Sequence, residues 1–262
     1  MVLAALSHPG YLLNLSIEKI QSQAFAICWS VLGGIVSNDV PRGLQELLDQ
    51  HCTGRILDIG PGSGFQLKRF KPAFEAGKIK EIYAVEPGVE MYDQLKAEAV
   101  KVFGGQAPQT YQILTCGAQP DELIPYMAKQ GLLHDNQAEG LFDTIVSIRA
   151  LCGIPDPVGT ANLFYRLLKP GGKIIFFEHV VNSGDTNKFG SRLARLLQHL
   201  YMLLGYQFLA GGCDLTRDTA ANLRRAAAPD NGWARDMVSD RNPEGCVPEI
   251  WGLMEKKKKR LS

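Results

Sequence analysis

The stretch Ile56-Leu-Asp-Ile-Gly-Pro-Gly-Ser-Gly64 decides how this sequence is read. A short, mainly apolar strand runs into a turn carrying Gly60, Pro61, Gly62 and Gly64, and an amphipathic segment follows over 65–76. Glycines at such a turn let the chain reverse sharply and let a ligand approach the main chain with no Cβ in the way. Strand, glycine turn and helix in that order predict a ligand site at the carboxyl end of the strand. Spacing narrows the ligand. The dinucleotide fingerprint G-x-G-x-x-G needs its third glycine three residues after the second, and that position is Phe65, the glycine standing at 64 instead. A nicotinamide dinucleotide is therefore disfavoured. Asp58, just before the glycines, offers a carboxylate to a cationic or amino-bearing ligand. Glu86, 22 residues after Gly64, brings a second acid to the end of the next strand, where a carboxylate can accept both hydroxyls of a ribose.

Outward from this motif, helical and strand-like segments alternate, which predicts a parallel sheet covered on both faces. Strands are expected over 55–59, 81–85, 111–115, 144–148 and 173–179. Helices are expected over 42–50, 65–76, 91–103, 122–130 and 160–168. Beyond them, 189–208 carries leucines at helical offsets and reads either as a core helix or as a cap over a ligand cleft. A helix over 216–227 and strands over 233–238 and 249–255 complete the series. Residues 1–40 read as an N-terminal helical cap, 41–256 as the main domain with the insert 189–208, and 257–262 as a solvated basic tail.

Composition bounds the function. The 262 residues are 45% apolar and 21% charged, enough for a substantial core. With 28 Lys and Arg against 27 Asp and Glu the net charge is +1, so no global field draws the protein to nucleic acid. There is no basic stripe with interleaved aromatics and no Asn-Pro-Pro-Tyr-type turn after the fourth strand, and nucleic acid is not an expected partner. Cysteines at 28, 52, 116, 152, 213 and 246 form no CxxC pair and no cluster at metal-ligand spacing. They read as scattered reduced thiols in a cytoplasmic compartment, with no metal site, zinc fold or iron–sulfur cluster. No secretory signal is recognised. The apolar stretch 24–36 is 13 residues long, short of the roughly 20 that span a bilayer. It is either a helix packed on its own domain or one lying peripherally on a membrane.

With these residues in view, the sequence resembles the class I S-adenosylmethionine-dependent methyltransferases. The resemblance spans 40–256 and rests on the glycine motif 58–64, Glu86, Phe142-Asp-Thr-Ile-Val-Ser147 and Leu168-Lys-Pro-Gly-Gly-Lys-Ile-Ile-Phe-Phe-Glu178. It implies an α/β, Rossmann-like three-layer sandwich whose seven-stranded, mostly parallel sheet has an antiparallel last strand. Phe176-Phe-Glu-His-Val180 and Gly211-Gly-Cys-Asp-Leu-Thr-Arg217 look like the methyltransferase-like 7 group, membrane-associated enzymes that methylate alkyl thiols.

The resemblance also implies roles. Asp58, Gly60, Pro61, Gly62 and Gly64 would surround the methionine part of S-adenosylmethionine, and Glu86 would hold its ribose. Gln119, after the third strand, would offer an amide oxygen near the adenine or serve only its loop. Arg149 would contact the cofactor or an acidic acceptor. Cys152 reads as a small buried hydrophobe. Glu178 and His179 close the fifth strand and could act as a general base within hydrogen-bond reach of an acceptor. The expected acceptor is a small lipophilic molecule, a thiol or alternatively a nitrogen or oxygen of a secondary metabolite. An NAD(P)-dependent oxidoreductase and a non-catalytic cofactor-binding protein are the readings from other classes.

Overall fold

A computed structural model of the chain describes residues 17–133, 139–184 and 188–258. Residues 1–16 of the expected cap and 259–262 of the basic tail lie outside the described residues. In chain order the elements are α1 (Ile17–Val36), α2 (Arg42–His51), β1 (Gly54–Ile59), α3 (Lys71–Glu75) and β2 (Ile79–Val85). Next come α4 (Tyr92–Phe103), α5 (Ala107–Thr110), β3 (Tyr111–Leu114), α6 (Pro120–Lys129), β4 (Phe142–Ile148), α7 (Pro157–Leu167) and β5 (Leu168–His179). The last are α8 (Phe189–Leu203), α9 (Tyr206–Leu209), α10 (Thr219–Ala226), β6 (Arg235–Arg241) and β7 (Glu249–Glu255).

The seven strands form one sheet in the order β3-β2-β1-β4-β5-β7-β6. From β3 to β5 every pairing is parallel, and β7 runs antiparallel to both of its neighbours. The expected Rossmann-like sandwich with a reversed last strand is therefore present. Strand periodicity explains the two cores. Leu57, Ile59, Tyr83, Val85, Ile145, Ile174 and Phe176 join the cluster on one face. Ile56, Ile82, Ala84, Val146, Ile175 and Phe177 join the cluster on the other. Because both faces are buried, the central strands read as nearly continuous apolar runs.

Departures from the expected elements have local causes. The segment 65–76 is split into a 3₁₀ turn, Leu67–Phe70, and the short α3, whose first turn holds Pro72 without an N–H to donate. Helix α7 starts three residues early because Asp156 caps it, accepting the Gly159 N–H at 2.9 Å. Strand β5 begins at Leu168, its register shifting opposite Phe142 and Thr144 where Gly171 takes φ 80. The segment 189–208 is broken in two by Gly205 at φ 86. Edge strand β6 carries Arg235, Asp236, Asp240 and Arg241, charges that oppose edge-to-edge pairing. The basic tail is not wholly solvated at its root: Lys256 donates to the carbonyls of Tyr165 and Leu168, and Lys257 to those of Asp230 and Asn231.

Candidate cofactor and acceptor site

The parallel strands β1 to β5 end along one edge of the sheet, and the segments that leave them carry the site residues expected from the sequence. At the end of β1, Gly60, Gly62 and Gly64 adopt φ of 60, 57 and 83, the left-handed region that side chains disfavour. Space is as restrictive as conformation at two of them. A Cβ on Gly60 would stand 2.6 Å from the Cβ of Ala150, and one on Gly62 would stand 3.2 Å from the Trp29 indole nitrogen.

Glu86 fastens this loop. Its Oε2 accepts the Gly62 N–H and its Oε1 the Gly88 N–H, each at 2.8 Å. Burial pushes its pKa up, and the two backbone donors pull it partly back. Asp58 is buried on the same edge, 6% exposed, with the Tyr111 hydroxyl donating to Oδ2 at 3.0 Å. Burial raises its pKa to about 7, against the Tyr111 bond and aided by the nearby Glu86 charge. Two buried acids therefore stand beside the glycine loop.

After β3, Gln119 does not stand free. It precedes α6, and its amide donates to Glu122, whose other oxygen accepts the Gly117 N–H at 2.7 Å. Glu122 is thus the acid that organises this loop, a role the sequence reading did not give it.

Arg149 is committed to the protein's own groups. It sits at φ 58, beyond the end of β4. Its Nε and Nη2 donate to Glu249 Oε1 at 3.0 and 2.6 Å, Nη1 donates to the Val36 carbonyl at 2.7 Å and Nη2 to the Asp39 carbonyl at 3.0 Å. The guanidinium also lies 4.6 Å from the centre of the Phe177 ring. Arg149 thereby joins the end of α1 to β7.

Glu178 is likewise enclosed, at 0% exposure. Its Oε1 accepts the Ser147 hydroxyl at 2.6 Å and the Ala150 N–H at 3.2 Å, and its Oε2 accepts the Cys152 N–H at 3.2 Å. Burial pushes its pKa up and these donors pull it back. A carboxylate so surrounded shapes the loop after β4.

His179 is the centre of a cluster the sequence did not announce. Its Nδ1 stands 3.5 Å from Cys213 Sγ and 3.9 Å from Cys152 Sγ, and its Nε2 stands 3.5 Å from Glu249 Oε1. The Cys152 bond and His179 draw the Cys213 thiol down to about 5. Burial opposes charge on His179, yet its Cys213 partner and Glu249 bring the net shift upward. The motif 211–217 holds this arrangement on the loop after β4. Asp214 N–H donates to the Cys152 carbonyl at 2.9 Å, and Arg217 donates to the carbonyls of Leu151 and Ile154. All six thiols are free.

Helix α1 lies across the edge. Ser22 donates to Glu90 at 2.9 Å, Gln21 to the Gln207 carbonyl at 3.1 Å, Trp29 abuts Gly62, and Phe25 packs where a Cβ on Gly211 would fall. Its outward side leaves Val31 and Ile35 70% and 71% exposed. No helix among the described residues is long and apolar enough to cross a membrane.

Comparison with known proteins follows the same line. A family model described as a methyltransferase domain matches residues 33–233. Thiol S-methyltransferase TMT1B of Homo sapiens is 32% identical over 89 residues, 34% of this chain and 34% of its own length. Methyltransferase OMS1, mitochondrial, of Saccharomyces cerevisiae is 28% identical over 137 residues, 52% of this chain and 27% of its own length. The matches span about a third or less of these relatives' length. A putative methyltransferase from Bacillus halodurans superimposes with a TM-score of 0.54 at 11% identity, covering 83% of this chain and 100% of that one. Geranyl diphosphate methyltransferase, solved with GPP and sinefungin, gives a TM-score of 0.52 at 13% identity, covering 82% and 77%. At such identities the structural likeness speaks for the fold alone. The family model reaches across most of the chain, on a sheet whose order, reversed last strand, glycine loop and strand-end acid agree, and the chain belongs to the class I S-adenosylmethionine-dependent methyltransferase family.

Proposed function

We propose that this chain transfers a methyl group from S-adenosylmethionine to the sulfur of a small lipophilic thiol. The observation that carries the cofactor half is the pair of buried acids, Asp58 and Glu86, around a loop of positive-φ glycines. Asp58 has the Tyr111 hydroxyl as its hydrogen-bond donor, so a cationic amine beside it relieves a thinly satisfied buried carboxylate. Glu86 keeps lone pairs beyond those given to Gly62 and Gly88, and these suit ribose hydroxyls. Gly60, Pro61, Gly62 and Gly64 supply main chain that a ligand can approach. The anionic pyrophosphate of a dinucleotide would instead meet Asp58 at close range, which Coulomb repulsion opposes.

When bound, S-adenosylmethionine supplies an electrophilic methyl group on a sulfonium. The chain's own contribution is then alignment and exclusion of water. Glu178 fixes the loop 149–153 through Ser147 and two N–H groups, which sets the acceptor side of the edge. Trp29 and Phe25 of α1 cover that edge from above. A thiol suits a site without a dedicated base, because part of it is already thiolate near neutral pH. The likeness to thiol S-methyltransferases supports sulfur as the acceptor atom.

The exposed Val31, Leu32 and Ile35 of α1 and Leu196 and Leu203 of α8 support a peripheral position on a lipid surface, which would deliver a lipophilic acceptor. Reduced thiols suit the cytoplasmic side of such a surface. Methyl transfer from labelled S-adenosylmethionine to a panel of alkyl thiols, amines and phenols tests the proposal. Label on the thiols supports it. Label on amines or phenols alone overturns the sulfur assignment, and failure to bind the cofactor overturns the whole reading.

A further inference from the structure

Three ligand-bearing side chains converge from segments far apart in sequence: Cys152 after β4, His179 at the end of β5 and Cys213 in the segment before α10. We propose that Cys152, His179 and Cys213 bind one thiophilic divalent metal ion, with zinc as the expected occupant. The inference is independent of which acceptor is methylated.

Distances are compatible with coordination. A tetrahedral zinc with bonds of about 2.3 Å to sulfur and about 2.05 Å to nitrogen separates sulfur from nitrogen by about 3.6 Å and two sulfurs by about 3.8 Å. His179 Nδ1 lies 3.5 and 3.9 Å from the two sulfurs, and all three ligand atoms lie within 4.8 Å of one another. The two sulfur–nitrogen edges thus match those of a coordination tetrahedron, and the sulfur–sulfur edge is no longer than 4.8 Å.

Orientation gives a second, separate argument. A ligating imidazole usually presents its other nitrogen to a carboxylate, which fixes the tautomer and turns the free lone pair toward the metal. Here Glu249 Oε1 stands 3.5 Å from His179 Nε2, and Glu249 is itself held by Arg149 and Arg241. Nδ1, the nitrogen left as acceptor, is the one that faces both sulfurs.

Preorganisation is the third. Cys152 is fixed through its N–H to Glu178 and its carbonyl to Asp214, so its sulfur does not depend on an ion for its place. Cys152, Cys213 and Leu215 form a buried cluster of their own, with Tyr201, Met202 and Tyr206 packed around it. Burial keeps water from competing for the two sulfurs. Two thiolates and an imidazole select zinc among common divalent ions over magnesium or calcium, which prefer oxygen.

The test is metal analysis and cobalt titration of the full chain, purified under reducing conditions with zinc supplied. The expected result is about one zinc per chain, and on cobalt substitution a thiolate-to-metal charge-transfer band with intense tetrahedral d–d bands. C152S, C213S and H179A should each lose the bound zinc while keeping the far-ultraviolet circular dichroism of the parent. E249Q should retain the site with affinity lowered about ten- to a hundredfold, the effect of a lost orienting carboxylate. If the cysteine variants fail to fold, the cobalt spectrum of the parent decides alone. No zinc in the parent and no thiolate band on adding cobalt overturns the proposal, as does zinc that persists when Cys152 and Cys213 are both replaced by serine.

Discussion

Replacing Asp58 by asparagine should stabilise the ligand-free protein at alkaline pH while weakening its hold on S-adenosylmethionine. Burial raises the Asp58 carboxyl from its ordinary 3.8 to about 7. A carboxyl whose folded pKa lies above its unfolded one binds more protons when folded, so stability falls as pH rises from 3.8 through 7 and levels off above. At about 1.4 kcal/mol per pH unit, the raised Asp58 pKa costs the fold on the order of 4 kcal/mol at pH 8, where the carboxyl is ionised, and under about 2 kcal/mol at pH 5, where it holds its proton. An asparagine in its place carries no such penalty, and its amide oxygen can still accept the Tyr111 hydroxyl proton. Urea unfolding of both proteins should therefore show D58N gaining stability, with the gain larger at pH 8 than at pH 5 by about 2–3 kcal/mol. Calorimetry should show the opposite order for the cofactor, whose cationic amine loses its charged partner. Cofactor binding to the parent near pH 6 should also release a proton, visible as a dependence of the observed heat on buffer ionisation enthalpy. A stability difference that does not grow with pH, or undiminished cofactor affinity in D58N, would refute the reasoning.

Three further outcomes follow from the same geometry. Glu86→Gln removes a charged acceptor from the ribose position and loses one of the two bonds from the Gly62 and Gly88 N–H groups, and should weaken cofactor affinity by about 1–3 kcal/mol by calorimetry. Glu178→Gln places an amide NH₂ against backbone donors at Ala150 or Cys152; it should lower stability by about 2–4 kcal/mol in urea unfolding, since a buried charged acceptor loses bonds it cannot replace. Val31→Asp with Leu203→Asp should abolish co-flotation with neutral phosphatidylcholine vesicles while leaving unfolding in solution nearly unchanged, because both side chains are already exposed. Equal flotation of parent and double variant would count against membrane contact.

What was legible in the sequence was whatever is local. Strand 55–59, the glycine turn and Glu86 could be read because each acts through its immediate neighbours, and sheet burial on both faces writes itself as apolar runs such as Ile174–Phe177. The functions of Arg149, Glu178 and His179 could not be read, because their partners come from elsewhere. Arg149 is decided by Glu249 and the end of α1, 100 and 113 residues away. Cys152 and Cys213 are 61 residues apart with His179 between them, and no short-spacing pattern marks a cluster assembled from the edge of a sheet. The motif 211–217 was the available signal: a cysteine preceded by two glycines in a segment that must return to the strand ends. Glu122 was passed over because an acid in the first turn of a helix looks like a solvated residue, whereas it reaches back to the Gly117 N–H.

The central claim is that the glycine loop and its two acids hold S-adenosylmethionine. Isothermal titration of the full chain with S-adenosylmethionine, S-adenosylhomocysteine and NAD tests it most directly. The account predicts one-site binding of both sulfur nucleosides, diminished in Glu86→Gln and Asp58→Asn, and no heat with NAD. Binding of NAD in their place, or sulfur-nucleoside binding that neither substitution affects, would contradict it.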